Sequence, residues 1–344
     1  MSVIFSHAFL IAEGNEENEP LSHLLGPGNI LGLYGVFTFF IISGFLLTRS
    51  LAADPNLIRF CINRALRIYP GFLFCAVVTV LLFGSLLTSS DVATYLTTKK
   101  TYTYIYDTVS CLCNAWDAPF SFSHSQLPTV INGSLWSLSF EVLSYVLLVW
   151  LSVILRKATF VAAALAILAL ASFVPLAQAV LGGFGYTLPY FAGGALMYVV
   201  FARFGTRGWM ALVSVLSLCL SALIGMQHYA FAIFGAYIVV FLGEHPNFGS
   251  AFAAKFGDWS YGIYLYGWPI EQAIKELSQS NEGSRLFFYS LPIALGISAI
   301  SWFAVEKPCL GLKKRLEERF QPRSISRSIF ATFLPLLSPR GRLS

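Results

Sequence analysis

Apolar residues run along the chain in long blocks, and short polar segments separate them. The blocks are about 17–23 residues long and do not alternate apolar with polar positions, so they predict membrane-spanning helices and not barrel strands. A shorter apolar block opens the chain. The pattern therefore predicts an all-α, polytopic transmembrane helical bundle with about ten spans, the first one truncated. The predicted spans are 1–11, 30–49, 69–87, 133–155, 158–180, 187–203, 207–226, 228–243, 258–277 and 286–305.

Composition excludes a soluble domain. Of 344 residues, 56% are hydrophobic and only 11% are charged, and the mean hydropathy is +0.69. Soluble domains carry about 25% charged residues. The net charge of +5 does not indicate a nucleic-acid partner, because the basic residues cluster at the ends of the predicted spans. The six cysteines show no zinc-like spacing and are interpreted as packing residues.

Charge in the connecting segments alternates along the chain. Loops 12–29 and 88–131 hold few or no basic residues and are expected to face outward. The pattern predicts that both termini are cytoplasmic if the first helix is complete, with membrane lipids as partners; the inner membrane of a bacterium is the expected location. The basic, cytoplasmic segments are 49–68, 156–157, 203–207, 244–257 and the C-terminal tail.

The chain is expected to form one membrane domain over residues 1–320, followed by a basic, disordered cytoplasmic tail over 321–344. Its first block, "MSVIFSHAFLIA", has about twelve residues where a span needs about twenty. We interpret this block as a helix without its N-terminal half, through a misplaced start or a real truncation.

Two ionisable residues lie inside apolar blocks. His7 is about one turn from the outer end of the first block, and Glu141 is about two turns inside the span 133–155, so both are expected in the outer third of the membrane. A charge near the bilayer centre costs roughly 2.5–3.5 kcal/mol, which makes such residues functional candidates. The pair predicts a general base with its orienting carboxylate. The alternatives are a histidine that snorkels to the interface and a glutamate that joins two helices.

The stretch "DPNLIRFCINRALRIYPG" (54–71) predicts an amphipathic helix on the cytoplasmic surface, capped by Asp54. Pro70 is expected to bend the chain into the next span. Arg64 and Arg67 lie one turn apart on the basic face, which suits bidentate contacts to phosphate. The alternative is an anchor for anionic lipids.

Three further stretches are candidates for binding. Ser43 and Gly44 form a small pair in mid-span, where a thin ligand or another helix can approach closely. Tyr264 belongs to the aromatic run "WSYGIYLYGWPIEQAI", which predicts either a groove lining or an interfacial belt. Loop 88–131 carries Trp116, which can stack on a sugar ring, and His124, a weaker acid–base candidate; a plain folded loop is the alternative.

Six motifs occur in a fixed order: "SHAF", "GVFTFFIISGFLLTRS", "FCINRALRIYPG", "NGSLWSLSFEVLSY", "WSYGIYLYGWPIE" and "FAVEKP". Together the motifs resemble the acyltransferase-3 family of integral membrane proteins, over residues 1 to about 315. The resemblance implies O-acylation of an extracytoplasmic glycan or glycolipid, with acyl-CoA (acetyl-CoA) as donor and no metal. It departs at two places: a basic residue expected ten positions before His7 would precede Met1, and Gly267 stands where many members carry His.

The resemblance carries roles over to matching residues. His7 and Glu141 are the expected catalytic pair on the outer side, and the donor is expected to bind from the cytoplasm. Its pantetheine arm would cross the membrane along a groove; direct attack by the acceptor hydroxyl and a covalent acyl-His or acyl-Ser relay both remain open. The donor site is predicted at Arg64, Arg67, Ser43 and Gly44. The acceptor site is predicted at Trp136, Ser137, Trp116 and Tyr264.

Two other functions fit parts of the pattern. A transporter or flippase of a glycan precursor would also have about ten spans and polar residues within them. It would predict inverted repeats and unwound helices, and the sequence shows neither. An inactive, truncated homologue that acts as a membrane partner would fit the short first block.

Overall fold

The computed structural model describes residues 1–88, 91–111, 120, 122, 124–127, 129–174, 180–245 and 258–312. This part of the chain is helical and contains no β-strand, as predicted. The predicted tail, 321–344, lies outside it. The helices are α1 (Ser2–Glu13), α2 (Pro20–Leu25), α3 (Leu31–Ala53), α4 (Leu57–Leu87), α5 (Val92–Thr97), α6 (Lys99–Cys111), α7 (Gly133–Leu155), α8 (Ala158–Ala171), α9 (Gly183–Phe204), α10 (Gly208–Leu223), α11 (227–244), α12 (Ser260–Ser278) and α13 (Gly283–Gly311).

Within the described ranges, five helices are long and apolar enough to cross a membrane. Helices α1, α8 and α10 are apolar but shorter. The bundle is therefore an integral membrane fold, while the total of about ten spans stays a prediction. The five long helices are α3, α4, α7, α9 and α13.

Small residues let the central helices α3 and α9 pack backbone against backbone. A Cβ atom added to Gly44 would lie 2.0 Å from the carbonyl oxygen of Phe191, and one added to Gly194 would lie 2.0 Å from that of Ile41. Only glycine fits at such a distance, because the backbones themselves are in contact. The Ser43-Gly44 pair therefore marks a helix–helix contact at Gly44.

Helix α1 packs against α3, α12 and α13. Its height beside α3 is held by Glu19, a fully buried carboxylate in the connection between the two helices. Glu19 accepts hydrogen bonds from the Ser6 hydroxyl at 3.0 Å and from the Leu31 amide at 2.8 Å. The Ser6 oxygen in turn accepts from the Gly32 amide at 2.7 Å. This network ties the middle of α1 to the first turn of α3.

The prediction of a separate surface helix that bends at Pro70 is wrong. Residues Leu57–Leu87 form one helix, α4, with Pro70 inside it. The Tyr261 hydroxyl donates to the Ile68 carbonyl at 2.9 Å, which gives the backbone near the proline a partner from α12. The helix is capped by Asn56 and not by Asp54, because the Asn56 side chain accepts the Arg59 amide at 3.0 Å.

Candidate active site

A cavity of about 190 Å³ lies between α1, α3, α4, α7 and α12. Most of its wall is apolar, with a few polar groups that point inward. Pockets that hold whole drug-sized ligands have about 300–1,000 Å³, so this cavity suits the end of a long molecule better than a complete cofactor. Its polar lining residues are Ser2, Arg67, Ser137, Glu141, Ser260, Tyr261 and Tyr264.

Glu141 is 3% exposed and accepts a hydrogen bond from the Tyr145 hydroxyl, one turn further along α7. Arg64 and Arg67 are near enough to act on its charge. Arg67 and Glu141 line one cavity, so they are not separated by the thickness of the bundle as expected; the membrane side that each residue faces stays a prediction. The unbroken helix α4 carries Arg67 into the bundle, where it shares the cavity with Glu141.

Arg67 is held by two carboxylates from distant parts of the chain. It forms ion pairs with Asp258 at 2.6 Å and with Glu306 at 3.2 Å. Its guanidinium also lies over the Tyr261 ring, 5.3 Å from the centroid, and 6.0 Å from that of Trp302. Both ends of the guanidinium are therefore occupied within the protein.

Unlike Arg67, Arg64 forms no ion pair with a carboxylate among the described residues. It is half-buried, and its Nε atom is buried without a hydrogen-bond partner among the described residues. A buried donor without a partner is costly, so it is a natural place for a ligand to bind. Of the two predicted phosphate-binding residues, Arg64 is therefore the one with an unpaired N–H donor.

The predicted acceptor residues fall into three places. Ser137 and Tyr264 line the cavity together, with 2.7 Å between their hydroxyl oxygens, and the Tyr264 hydroxyl also donates to the Ser134 carbonyl. Trp136 packs beside Phe140, with ring centroids 6.0 Å apart. Trp116 lies outside the described residues.

His7 lies on α1, one turn beyond the cavity-lining Ile4. Its ring packs edge-on against Trp268, with centroids 4.8 Å apart. The Nδ1 atom is buried and has no hydrogen-bond partner in the described part of the chain. No hydrogen bond joins His7 to Glu141 there, so their pairing stays a prediction.

The remaining candidates are Ser43, Gly44 and His124. Ser43 is half-buried and near the Tyr145 hydroxyl, whereas Gly44 packs against α9 as described above. The His124 ring binds Glu276 at 2.9 Å, and this pair is partly exposed at the protein surface. The donor role of Ser43 and Gly44 and the acid–base role of His124 stay predictions.

Sequence reasoning missed the groups that hold the site together. Asp258 and Glu306 fix Arg67, and Tyr145 binds Glu141. Glu306 had a signal of its own, since it is a carboxylate at the end of an apolar span in the quoted motif "FAVEKP". Its partner is 239 residues away, which spacing along one sequence does not reveal.

The family model of an acyltransferase domain, acyltransferase-3, matches residues 1–305. The chain belongs to the acyltransferase-3 family. It is similar to the "O-acetyl transferase" of Shigella phage Sf6, with 28% identity over 334 aligned residues that cover 89% of this chain and 92% of the relative. No solved structure matches the chain.

Membership confirms the resemblance noted in the sequence and makes the protein a membrane O-acyltransferase. A family of acyltransferases requires an acyl donor and an acceptor hydroxyl.

Proposed function

We propose that this acyltransferase moves an acetyl group from acetyl-CoA to a hydroxyl of an extracytoplasmic glycan or glycolipid. The observation that carries the proposal is the cavity that joins Arg67, Glu141 and the Ser137–Tyr264 pair, one turn of α1 away from His7. The similarity to a protein named O-acetyl transferase supports the choice of acetyl.

The donor binds through its phosphates at Arg64. A guanidinium with unused donors gives charge-assisted hydrogen bonds to phosphate. The thin pantetheine arm then enters the bundle beside α4, and the acetyl thioester occupies the cavity. The size of the cavity, about 190 Å³, fits the reacting end of such a donor.

The acceptor hydroxyl approaches from the outer side, towards His7. His7 takes the hydroxyl proton while the oxygen attacks the thioester carbonyl. The new carbon–oxygen bond forms, the carbon–sulfur bond breaks, and the proton passes from His7 to the leaving thiolate. General-base help of this kind contributes about 10²–10⁴-fold to a rate. Dry, oriented binding of both substrates adds to it.

Glu141 is proposed as the second catalytic residue, at the cavity wall. Its bond to Tyr145 and the nearby arginines fix its place close to the bound acyl end. To donate to the thioester carbonyl oxygen as it gains negative charge, the Ser137 hydroxyl turns from the Tyr264 oxygen, or the Tyr264 hydroxyl turns from the Ser134 carbonyl.

The test is transfer of isotope-labelled acetyl from acetyl-CoA to surface glycans, followed by mass spectrometry of the glycans with and without the gene. His7→Ala is expected to lower transfer about 10²–10⁴-fold while the protein stays in the membrane at normal amount. Glu141→Gln is the companion variant. Unchanged labelling by His7→Ala would reject His7 as the base and with it the proposed mechanism.

A further inference from the structure

Glu271 has no role in the site described so far. It lies in α12 and is fully buried, and neither carboxylate oxygen has a hydrogen-bond partner among the described residues. Leaving a carboxyl group buried and unpaired is unfavourable, whether it stays charged or takes up a proton. A group kept at that cost calls for a partner in the working protein.

Helix α12 turns Glu271 towards α1. Gly267, Glu271 and Lys275 are spaced by four and share one face of the helix. A Cβ atom added to Gly267 would lie 2.5 Å from Ile4 Cγ1, and the Lys275 ammonium donates to the Ala12 carbonyl at 3.3 Å. Glu271 stands midway between these two contacts. Its face of α12 is therefore the one packed on α1.

The contacts at the two ends also show that α1 and α12 run in the same direction, so heights can be compared. At ~1.5 Å per residue, Glu271 is about 6 Å above Gly267, and His7 is about 4.5 Å above Ile4. Trp268, on the adjoining edge of the same face, already packs on the His7 ring. Glu271 and His7 therefore lie at nearly the same height on facing helices.

Each of these two groups lacks what the other offers. His7 has a buried, unpaired Nδ1, and Glu271 has two unpaired carboxylate oxygens. The cation in the next turn is already used, because the Lys275 ammonium binds the carbonyls of Ala12 and Ser280 and the side chain of Asn281. No ion pair of Glu271 exists in the described part of the protein. On the described part of α1, the unsatisfied buried group at the height of Glu271 is the His7 imidazole.

We propose that Glu271 is the positioning residue of His7. Its carboxylate accepts a hydrogen bond from the His7 Nδ1–H, which leaves Nε2 free to take the proton of the acceptor hydroxyl. The contact forms by side-chain rotation when substrates are bound, as catalytic hydrogen bonds often tighten only in the complex. The carboxylate then stabilises the imidazolium until the proton passes to the thiolate. This inference rests on the proposed function.

The test is a double-mutant cycle on the transfer of labelled acetyl by purified protein, with variants His7→Ala, Glu271→Gln and the double variant. Glu271→Gln is expected to lower kcat about 10²-fold or more, since Asn in place of the orienting Asp of a Ser-His-Asp triad costs about 10⁴-fold. The KM for acetyl-CoA should stay unchanged. In the His7→Ala background the same substitution should cost nothing further. Glu271→Asp, which keeps the charge, should retain more rate than Glu271→Gln.

Gln272→Ala is the matched structural control. Gln272 is the next residue on α12, is equally buried, and donates to the carbonyls of Leu127 and Val130. Its effect on the rate should multiply with that of His7→Ala. Glu271→Gln at full rate, or a cost that multiplies with that of His7→Ala, would overturn the inference and leave the proposed function standing. Full activity of His7→Ala would overturn both.

Discussion

Arg67 and Arg64 lie one turn apart on α4, but of the two only Arg67 forms ion pairs with carboxylates in the described part of the protein. Arg67→Gln removes both ion pairs and leaves Glu306, which is 2% exposed, with the Ser301 hydroxyl as its remaining partner. Asp258 is nearly half exposed and can be hydrated instead. The main cost of the substitution is therefore the orphaned carboxylate of Glu306.

The size of that cost follows from burial. Removing one partner of a fully buried ion pair destabilises a protein by about 3–5 kcal/mol. The Arg67 side chain is 25% exposed, so we expect the lower end, about 3 kcal/mol. Arg64→Gln breaks no ion pair among the described residues and should change stability much less. Loss of charged hydrogen bonds to the donor phosphates, worth about 1.5–3 kcal/mol, should instead raise the KM for acetyl-CoA roughly 10- to 100-fold.

Thermal unfolding in detergent, followed by tryptophan fluorescence, measures the first effect, and initial rates at varied acetyl-CoA measure the second. Adding Glu306→Gln to Arg67→Gln removes the orphaned charge and should restore part of the lost stability. Equal unfolding temperatures for Arg67→Gln and Arg64→Gln would refute the claim that Arg67 stabilises the fold more than Arg64 does. A double variant that is no more stable than Arg67→Gln alone would refute the orphaned carboxylate of Glu306 as the main cost.

Two further predictions concern packing and the cavity wall. Gly44→Ala should sharply lower the yield of folded protein, because its Cβ would lie 2.0 Å from the Phe191 carbonyl oxygen; Gly296→Ala, with nothing within 4 Å, is the control and should be harmless in a comparison of size-exclusion profiles. Tyr264→Phe removes the hydroxyl bonded to Ser137 and should lower kcat about tenfold, for a lost hydrogen bond of about 1 kcal/mol or more, with folding intact. A Tyr264→Phe protein with normal kcat would show that this hydroxyl takes no part in transfer.

Sequence patterns predicted which helix carries each candidate residue. Counting residues from the ends of apolar blocks placed His7 in α1 and Glu141 in the first turns of α7, and the structure has both in these helices. The class of fold followed from block length and charge alone. Position along a helix is readable because a helix rises by a constant amount per residue, and because polar segments mark the ends of most helices.

Direction around the helix axis was not readable. Glu141 points to Tyr145 and the cavity. Glu271, in the quoted stretch "WSYGIYLYGWPIEQAI", occupies the face of α12 towards α1. Which neighbour a face meets depends on how helices pack, and a single sequence does not contain that. The criterion applied to Glu141, a carboxylate inside an apolar stretch, would have selected Glu271 as well. The same limit hid the pairing of Arg67 with Glu306.

The Glu19 network has a consequence for the evolution of this acyltransferase. Hydrogen bonds through Glu19 fix Ser6 against the start of α3. The segment 14–18 makes none of these bonds, so it can gain or lose a residue without moving the His7 ring. An insertion between Ser6 and His7 would instead swing the ring by about 100° around the α1 axis, away from Trp268. In homologous chains we therefore expect insertions and deletions in the segment that corresponds to 14–18, and none between Ser6 and His7.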